Sequence, residues 1–272
     1  MQSAGKLKEK EGRELTTVTM LGAHGGRGEN RATTSLQVTD SIVIDAGNIL
    51  YPLGDKAKKI DHIFLTHCHL DHLIDIPFLI DAFFAERTTP LHIYGLASTL
   101  QSVKRHILNW EVWPDFNEIE LLNRSEKSVL LHEIEFDKVY ERDGIRLKPI
   151  KTNHTVESCG YVVEKEGKKI FFTSDTYKCD EVWKTVNEDP GIKTMITEVS
   201  FPSQMAKLAH DSKHLTPKLL EEELQKLKRE DIQLYVSHLK PDFLDQIHRE
   251  FRDSPVLQKV TILEDGSVIP LA

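Results

Sequence analysis

The segment Thr66-His67-Cys68-His69-Leu70-Asp71-His72 constrains this chain more than any other feature of it. Three imidazoles and a carboxylate fall within six residues, directly after the apolar run Ile60–Leu65 and before a second, helix-like apolar run. A strand that empties into such a turn carries four metal-binding side chains to one point at its end. In extended backbone alternate residues share a face, so His67 and His69 can grip one ion together. Where the chain turns after Leu70, Asp71 and His72 swing away and are free for a second ion nearby. Imidazole nitrogen and carboxylate oxygen suit zinc and its first-row neighbours. Cys68, between two such ligands, is expected to point the other way, into the core.

Around that motif, apolar runs of strand length alternate with turn residues. They are Thr16–Leu21, Thr34–Val38, Ile42–Ile44 and Ile60–Leu65, with the loop-like stretches Gly22–Gly28 and Asp45–Asn48 between them. A helical period runs from about Leu73 to Glu86, with Pro77 near its first turn, and another covers Ala97–Leu108. The second half repeats the scheme. Strands are expected near Gly160–Glu164, Lys169–Thr173, Lys193–Thr197 and Gln233–Val236, and helices near Asp180–Asn187, Pro217–Lys228 and Asp242–Phe251. Thr216 is the expected N-cap of the helix that begins at Pro217. Strands in both halves with helices interspersed predict two sheets packed face to face, helices outside. Residues 1–14 read as a disordered polar tail and 15–272 as one domain.

A chain of 272 residues can bury a sizeable core, and 39% hydrophobic with 29% charged residues is ordinary for a soluble globular protein. No apolar stretch is long enough to cross a bilayer, and no apolar signal core follows the N-terminal charges. No membrane association is expected, therefore, and a cytoplasmic location is. Three cysteines, an odd and sparse set, argue for a reducing compartment. The formal net charge of −8 repels nucleic-acid backbones, which favours a small-molecule substrate over a stable nucleic-acid complex.

A catalytic metal usually takes three protein ligands and an open position, so two ions need more than the first cluster supplies. Further candidates stand at downstream strand ends. His154 lies in Lys151-Thr152-Asn153-His154, Asp175 follows Ile170–Ser174, and His238 follows Ile232–Ser237. Asp61 and Asp75 are candidates to orient ligating imidazoles. His24, in a glycine-rich loop, is a candidate to face the site, and Asn153 and Lys240, beside ligands, are candidates to touch substrate.

The order His-x-His-x-Asp-His, then a distant His, an Asp and a final His resembles the metallo-β-lactamase superfamily, from Thr66 to His238. That resemblance implies an α/β fold, the αββα four-layer sandwich. It also implies two divalent metal ions, zinc by default with manganese or iron as alternatives. His67, His69 and His154 would hold one; Asp71, His72 and His238 the other; Asp175 would bridge them. Oxygen-reducing diiron members usually carry glutamate at the second histidine of the turn, and His69 points instead to hydrolysis.

Five further segments narrow the resemblance: Leu108–Phe116, Phe172–Thr176, Thr197–Pro202, Ser212–Pro217 and Ser237–Pro241. Together they look like the class II cyclic-nucleotide phosphodiesterases. This branch implies hydrolysis of the 3′-bond of 3′,5′-cyclic nucleotides, cyclic AMP and/or cyclic GMP, to 5′-nucleotides by a metal-bridging hydroxide. A homodimer is the habit of that family. The leaving ribose 3′-oxygen is a poor leaving group, so a proton donor is expected, and His214 is the candidate. Related tRNA 3′-processing nucleases have a proton-donating histidine at the comparable place, and Glu198 resembles their orienting carboxylate. Asp71 joins His214 and Glu198 as a catalytic residue. Trp110, Trp113 and Phe116 could stack on a purine, although packing is the commoner use of aromatic residues in a loop. The alternatives are a tRNA 3′-processing endonuclease, which shares every ligand and the His/Glu pair, or a lactonase or thioesterase. The first usually carries a glycine- and basic-rich arm that is not legible here; the second leaves His214 and Glu198 without a task.

Overall fold

In a computed structural model describing residues 16–122 and 124–272, the apolar runs pair into two seven-stranded sheets. The tail expected over residues 1–14 lies outside the described residues. The first sheet takes β1 (Thr17–Gly22), β2 (Ser35–Gln37), β3 (Ile42–Ile44), β4 (His62–Phe64), β5 (Leu91–Gly95) and β6 (Val129–Glu133) in sequence order. The second takes β7 (Tyr140–Arg142), β8 (Ile145–Lys151), β9 (Cys159–Lys165), β10 (Lys168–Phe172), β11 (Ile192–Glu198), β12 (Gln233–Ser237) and β13 (Thr261–Ile262). The last strand, β14 (Ser267–Pro270), returns to pair antiparallel with β1.

Each sheet is part antiparallel and part parallel: β3 to β6 run parallel, as do β10 to β13. Parallel neighbours need long crossovers, which here carry helices over the outer faces. These are α1 (Leu50–Leu53), α2 (Asp75–Phe83) and α3 (Ala97–His106) on the first sheet's side. On the other lie α4 (Asp180–Glu188), α5 (Ala206–Ser212), α6 (Pro217–Leu224) and α7 (Leu244–Asp253). Thr216 caps α6 as expected, its hydroxyl accepting from Leu219 N.

The central core lies between the sheets. Met20, Leu36, Ile44, Phe64 and Tyr94 meet Leu147, Tyr161, Ile170 and Phe172, all buried. Fully burying each such side chain contributes about 1.5–3 kcal/mol. Phe64 stacks on Tyr94 at 4.3 Å and meets Tyr161 edge-on at 5.8 Å. The Tyr161 hydroxyl donates to Leu65 O at 2.7 Å, which satisfies a buried polar group and ties the sheets together next to the histidine turn. Outside, Ile76, Leu79, Leu100 and Val103 cover the first sheet. Val182, Trp183 and Val186 cover Phe171 and Met195, and Leu220, Ile247 and Phe251 cover Val236. The architecture is the expected αββα sandwich.

Several element limits differ from the sequence reading. The run 60–65 pairs only over His62–Phe64, and the helix expected to reach Lys228 ends at Leu224. Strand β8 is not legible as a strand because Pro149 interrupts its apolar alternation. It is tolerated because Pro149 O accepts from Asp137 N on the side where β7 has already ended, so no ladder bond is lost there.

Candidate metal centre

Parallel strands deliver their carboxyl ends to one edge, and all seven candidate ligands follow strands that end at that edge. Strand β3 runs into Asp45, β4 into Thr66–His72, β8 toward His154, β10 into Ser174-Asp175, β11 ends on Glu198, and β12 runs into His238. Three of these exits bend sharply: Asp45, Ser174 and His238 have φ of 60°, 54° and 65°. Left-handed backbone at a non-glycine residue costs about 1–3 kcal/mol, and its clustering here shows that the surrounding structure imposes it.

The turn and the distant ligands converge as two groups. Donor atoms of His67, His69, His154 and Asp175 lie within 4.8 Å of one another, as do those of Asp71, His72 and His238. Asp175 stands between them: Oδ2 is 3.6 Å from His67 Nε2, 3.8 Å from His154 Nε2 and 3.4 Å from His72 Nε2, while Oδ1 is 3.2 Å from His238 Nε2. Asp71 Oδ2 is 3.4 Å from His238 Nε2. His69 turns Nδ1 inward, 3.1 Å from His154 Nε2.

The residues present fit a pair of cations. His67 Nε2, His72 Nε2, His238 Nε2 and Asp175 Oδ1 are buried with no hydrogen-bond partner. Four such atoms at one point would be a severe desolvation cost unless a cation takes their lone pairs. The outer nitrogens explain why lone pairs face inward. His72 Nδ1 donates to the Asp45 carboxylate at 2.7 Å, and His154 Nδ1 donates to Lys213 O at 3.0 Å. The Thr66 hydroxyl spends its proton on Asp45, so His67 Nδ1, 3.0 Å away, is the donor to it. Likewise Ser200 Oγ donates to Glu198 and accepts from His238 Nδ1 at 3.0 Å. In each case Nε2 is left as the acceptor, the tautomer a metal needs.

The electrostatics divide the ligands. Burial and the neighbouring imidazoles hold His67 well below the ordinary imidazole pKa and bring His69 down to about 4. Burial also lowers His154, against the pull of Asp175. His72 goes the other way: burial opposes its charging, but Asp175 and Asp45 together raise it well above the ordinary value. Burial disfavours the charged form of Asp175 too, yet His238 and His72 hold it well below the usual carboxylate range. Such an anionic hollow is completed by positive charge.

Asp45 is the residue that reading the sequence missed. Completely buried, it accepts from Thr66 N at 2.8 Å, Thr66 Oγ1 at 2.7 Å and His72 Nδ1 at 2.7 Å. Asp61 and Asp75, the sequence's candidates for this role, touch none of the candidate ligand imidazoles. Asp61 pairs with Arg87 at 2.7 Å, and Asp75 accepts from the backbone of Ile49 and Leu50. The signal for Asp45 was available, since it follows the buried run Ile42–Ile44 as Asp175 follows its own strand.

His214 sits beside this hollow and is buried. A ring nitrogen of His214 lies within 4.8 Å of donor atoms of Asp175 and His238. His214 Nδ1 donates to Glu198 Oε1 at 2.7 Å. Glu198 is buried too and is held by Thr176 N, Ser200 Oγ and Leu215 N. Burial works against a charged His214, but the Glu198 carboxylate outweighs it and raises the pKa above the ordinary value.

The remaining candidates fall elsewhere. His24 is buried with its ring nitrogens 3.0 Å from Asp265 and 3.6 Å from Glu264, so it braces its loop and is not in the ligand cluster. Asn153 Nδ2 donates to Lys178 O at 2.8 Å. The Lys240 ammonium donates to Gly25 O. Gly25 itself lies against His238: a Cβ there would stand 2.6 Å from the imidazole. Phe116 is buried against Phe84 and Trp113 packs on Phe78, whereas Trp110 is 64% exposed. Cys68 packs against the core under α2, as expected.

Comparison with known proteins agrees with this geometry. The model of a β-lactamase superfamily domain matches residues 38–238. A probable 3′,5′-cyclic-nucleotide phosphodiesterase of Yersinia pestis is 24% identical over 279 residues, covering 83% of this chain and 78% of that protein. A ribonuclease Z of Haloarcula marismortui is 29% identical over 178 residues, covering 60% of this chain, which spans about half (51%) of that protein's length. Among solved structures, unliganded yeast PDE1 superposes with a TM-score of 0.79 at 20% identity, covering 94% of this chain and 99% of that one. The short form of human tRNase Z gives 0.67 at 19%, covering 94% and 99%. These structural likenesses carry the fold. Matched over a span that ends on His238, the last histidine of the centre, the chain belongs to the metallo-β-lactamase superfamily.

Proposed function

We propose that the protein is a cyclic-nucleotide phosphodiesterase that hydrolyses the 3′-bond of 3′,5′-cyclic nucleotides to 5′-nucleotides. Its own residues would hold two divalent cations, zinc by default: His67, His69 and His154 on one side, Asp71, His72 and His238 on the other, Asp175 between. Bound there, the ions would supply an activated water and neutralise the charge of the phosphodiester. The single observation that carries the reaction class is the His214–Glu198 pair, 2.7 Å long and buried beside the cradle. A protonated imidazole aimed at the reacting centre has a use where a poor leaving group, such as a ribose 3′-oxygen, must take a proton as the bond breaks. Glu198 keeps that proton available, and Ser200 links Glu198 to His238, so donor and cradle share one hydrogen-bonded frame. A lactonase would have no such need of His214.

The choice of a cyclic nucleotide is supported by the extent of likeness to the Yersinia pestis phosphodiesterase, over 83% of the chain, and by the superposition on yeast PDE1. The 29% identity to a ribonuclease Z favours a second reading, tRNA 3′-end cleavage, which uses the same residues. Incubating the purified protein with cyclic AMP, cyclic GMP, a generic aryl phosphodiester, a lactone and a precursor tRNA separates them. Turnover of the cyclic nucleotides is expected; cleavage of the precursor tRNA alone would replace this reading with the second. In the same assay His214→Ala is expected to lose about 10²–10⁴-fold in rate while retaining both metals. An unchanged rate removes His214 from the mechanism.

A further inference from the structure

A cleft of about 660 Å³ opens between the glycine-rich loop after β1 and the segment at α1, and none of the seven candidate metal ligands lines it. Its volume is that of a small-molecule site. Gly47, whose carbonyl accepts from Arg27 of the cleft, is packed so tightly on Asp71 O that a Cβ would stand 2.2 Å from it. Two carboxylates that line the cleft are already committed. Asp75 accepts from Ile49 N and Leu50 N, and Asp265 from Ala23 N and Ala32 N.

The guanidinium groups are committed only in part. Arg27, 54% exposed, donates to Gly47 O at 3.1 Å and only weakly to Asp75, at 3.4 Å. Arg31 gives Nη1 to Asn30 O, while its buried Nε has no hydrogen-bond partner and the Glu264 carboxylate stays 4.0 Å away. In the same lining, Tyr51 is 90% exposed and stands with Leu50 and Pro52. The guanidinium donors left free select an anion such as phosphate, and a bare aromatic face in the same lining selects a planar ring.

We propose that this cleft is a second binding site that takes a nucleoside monophosphate, phosphate on Arg27 and Arg31 and base on Tyr51. The site does not depend on the reaction assigned above. Titration of the full-length, metal-loaded protein with 5′-AMP by calorimetry tests it. Binding is expected to weaken about ten-fold or more in Arg31→Ala, from loss of charge-assisted hydrogen bonds, and about five-fold or more in Tyr51→Ala, from loss of stacking. Glu264→Gln removes the competing carboxylate and is expected to tighten binding. Should 5′-AMP also occupy the metal centre, that second event persists and the stoichiometry falls from two to one in Arg31→Ala. The absence of 5′-AMP binding to the wild type overturns the proposal. So does an unchanged affinity in either variant. Tyr51 is so exposed that its variant keeps the fold, and melting curves check that of Arg31→Ala. Cyclic AMP turnover is measured separately, so failure of the phosphodiesterase reading leaves this titration readable.

Discussion

Asp45→Asn tests whether the centre is organised by its buried carboxylate and not by the ligands alone. The substitution conserves shape. Asp45 accepts from Thr66 N and Thr66 Oγ1 with both of its oxygens and from His72 Nδ1 with one. An asparagine offers one oxygen and one NH2, so whichever way the amide turns, a buried donor meets a donor. An unsatisfied buried donor costs about 1–3 kcal/mol, and a lower melting temperature is expected. The second consequence is specific: with no carboxylate to accept from Nδ1, His72 loses its preference for the tautomer that presents Nε2, and His67 is loosened through Thr66. Losing such an orienting partner typically costs 10–100-fold in metal affinity, about 1.4–2.7 kcal/mol. Competition against a chromophoric chelator, at a temperature where the variant is fully folded by circular dichroism, measures that loss. Affinity within two-fold of wild type for both ions would show that the ligands orient themselves and refute the argument.

Other outcomes follow from single contacts. In Gly25→Ala the new methyl would meet the His238 ring at 2.6 Å, so the loop or the imidazole must move; one of the two bound ions is expected to be lost, and a metal content still at two per chain contradicts this. Tyr161→Phe removes the hydroxyl that donates to Leu65 O and should lower stability by about 1–3 kcal/mol in denaturant melts with no change in metal content. On the opposite end of the first sheet His62, His92 and His132 stand side by side on β4, β5 and β6, their rings 5.1 Å apart pairwise along the row. Burial lowers all three, with mutual repulsion added and Asp143 and Asp61 only partly offsetting it at His62. Folding therefore opposes their protonation: this contribution is fully present above about pH 6.5 and is lost as pH falls below that value. A His92→Gln variant should show a shallower acid limb in a melting temperature–pH profile; a parallel profile counts against the idea.

The candidate ligand set was legible because metal binding needs particular atoms, and those atoms come in few residue types. His67, His69, Asp71 and His72 announce themselves within one turn, and His154, Asp175 and His238 each close an apolar run of strand character. His214 and Glu198 were legible only through resemblance to relatives, and their 2.7 Å contact joins residues sixteen apart. Asp45 was passed over in favour of Asp61 and Asp75: its place after a buried run marked it, but which imidazole it faces is set only in the fold. His24 showed the converse failure: a histidine in a glycine-rich loop invites a site role, but Asp265, some 240 residues away, claims it.

Local composition and periodicity were enough to point to two sheets with helices outside, and the spacing of histidines to mark candidate ligands for divalent metal. Both follow from short-range rules of burial and ligand type. The tautomer of each imidazole, the identity of its carboxylate partner and the cleft walled by Arg27, Arg31 and Tyr51 were decided by tertiary structure alone. They depend on which strand ends meet across the two sheets, and that meeting is set by packing between residues far apart in the chain.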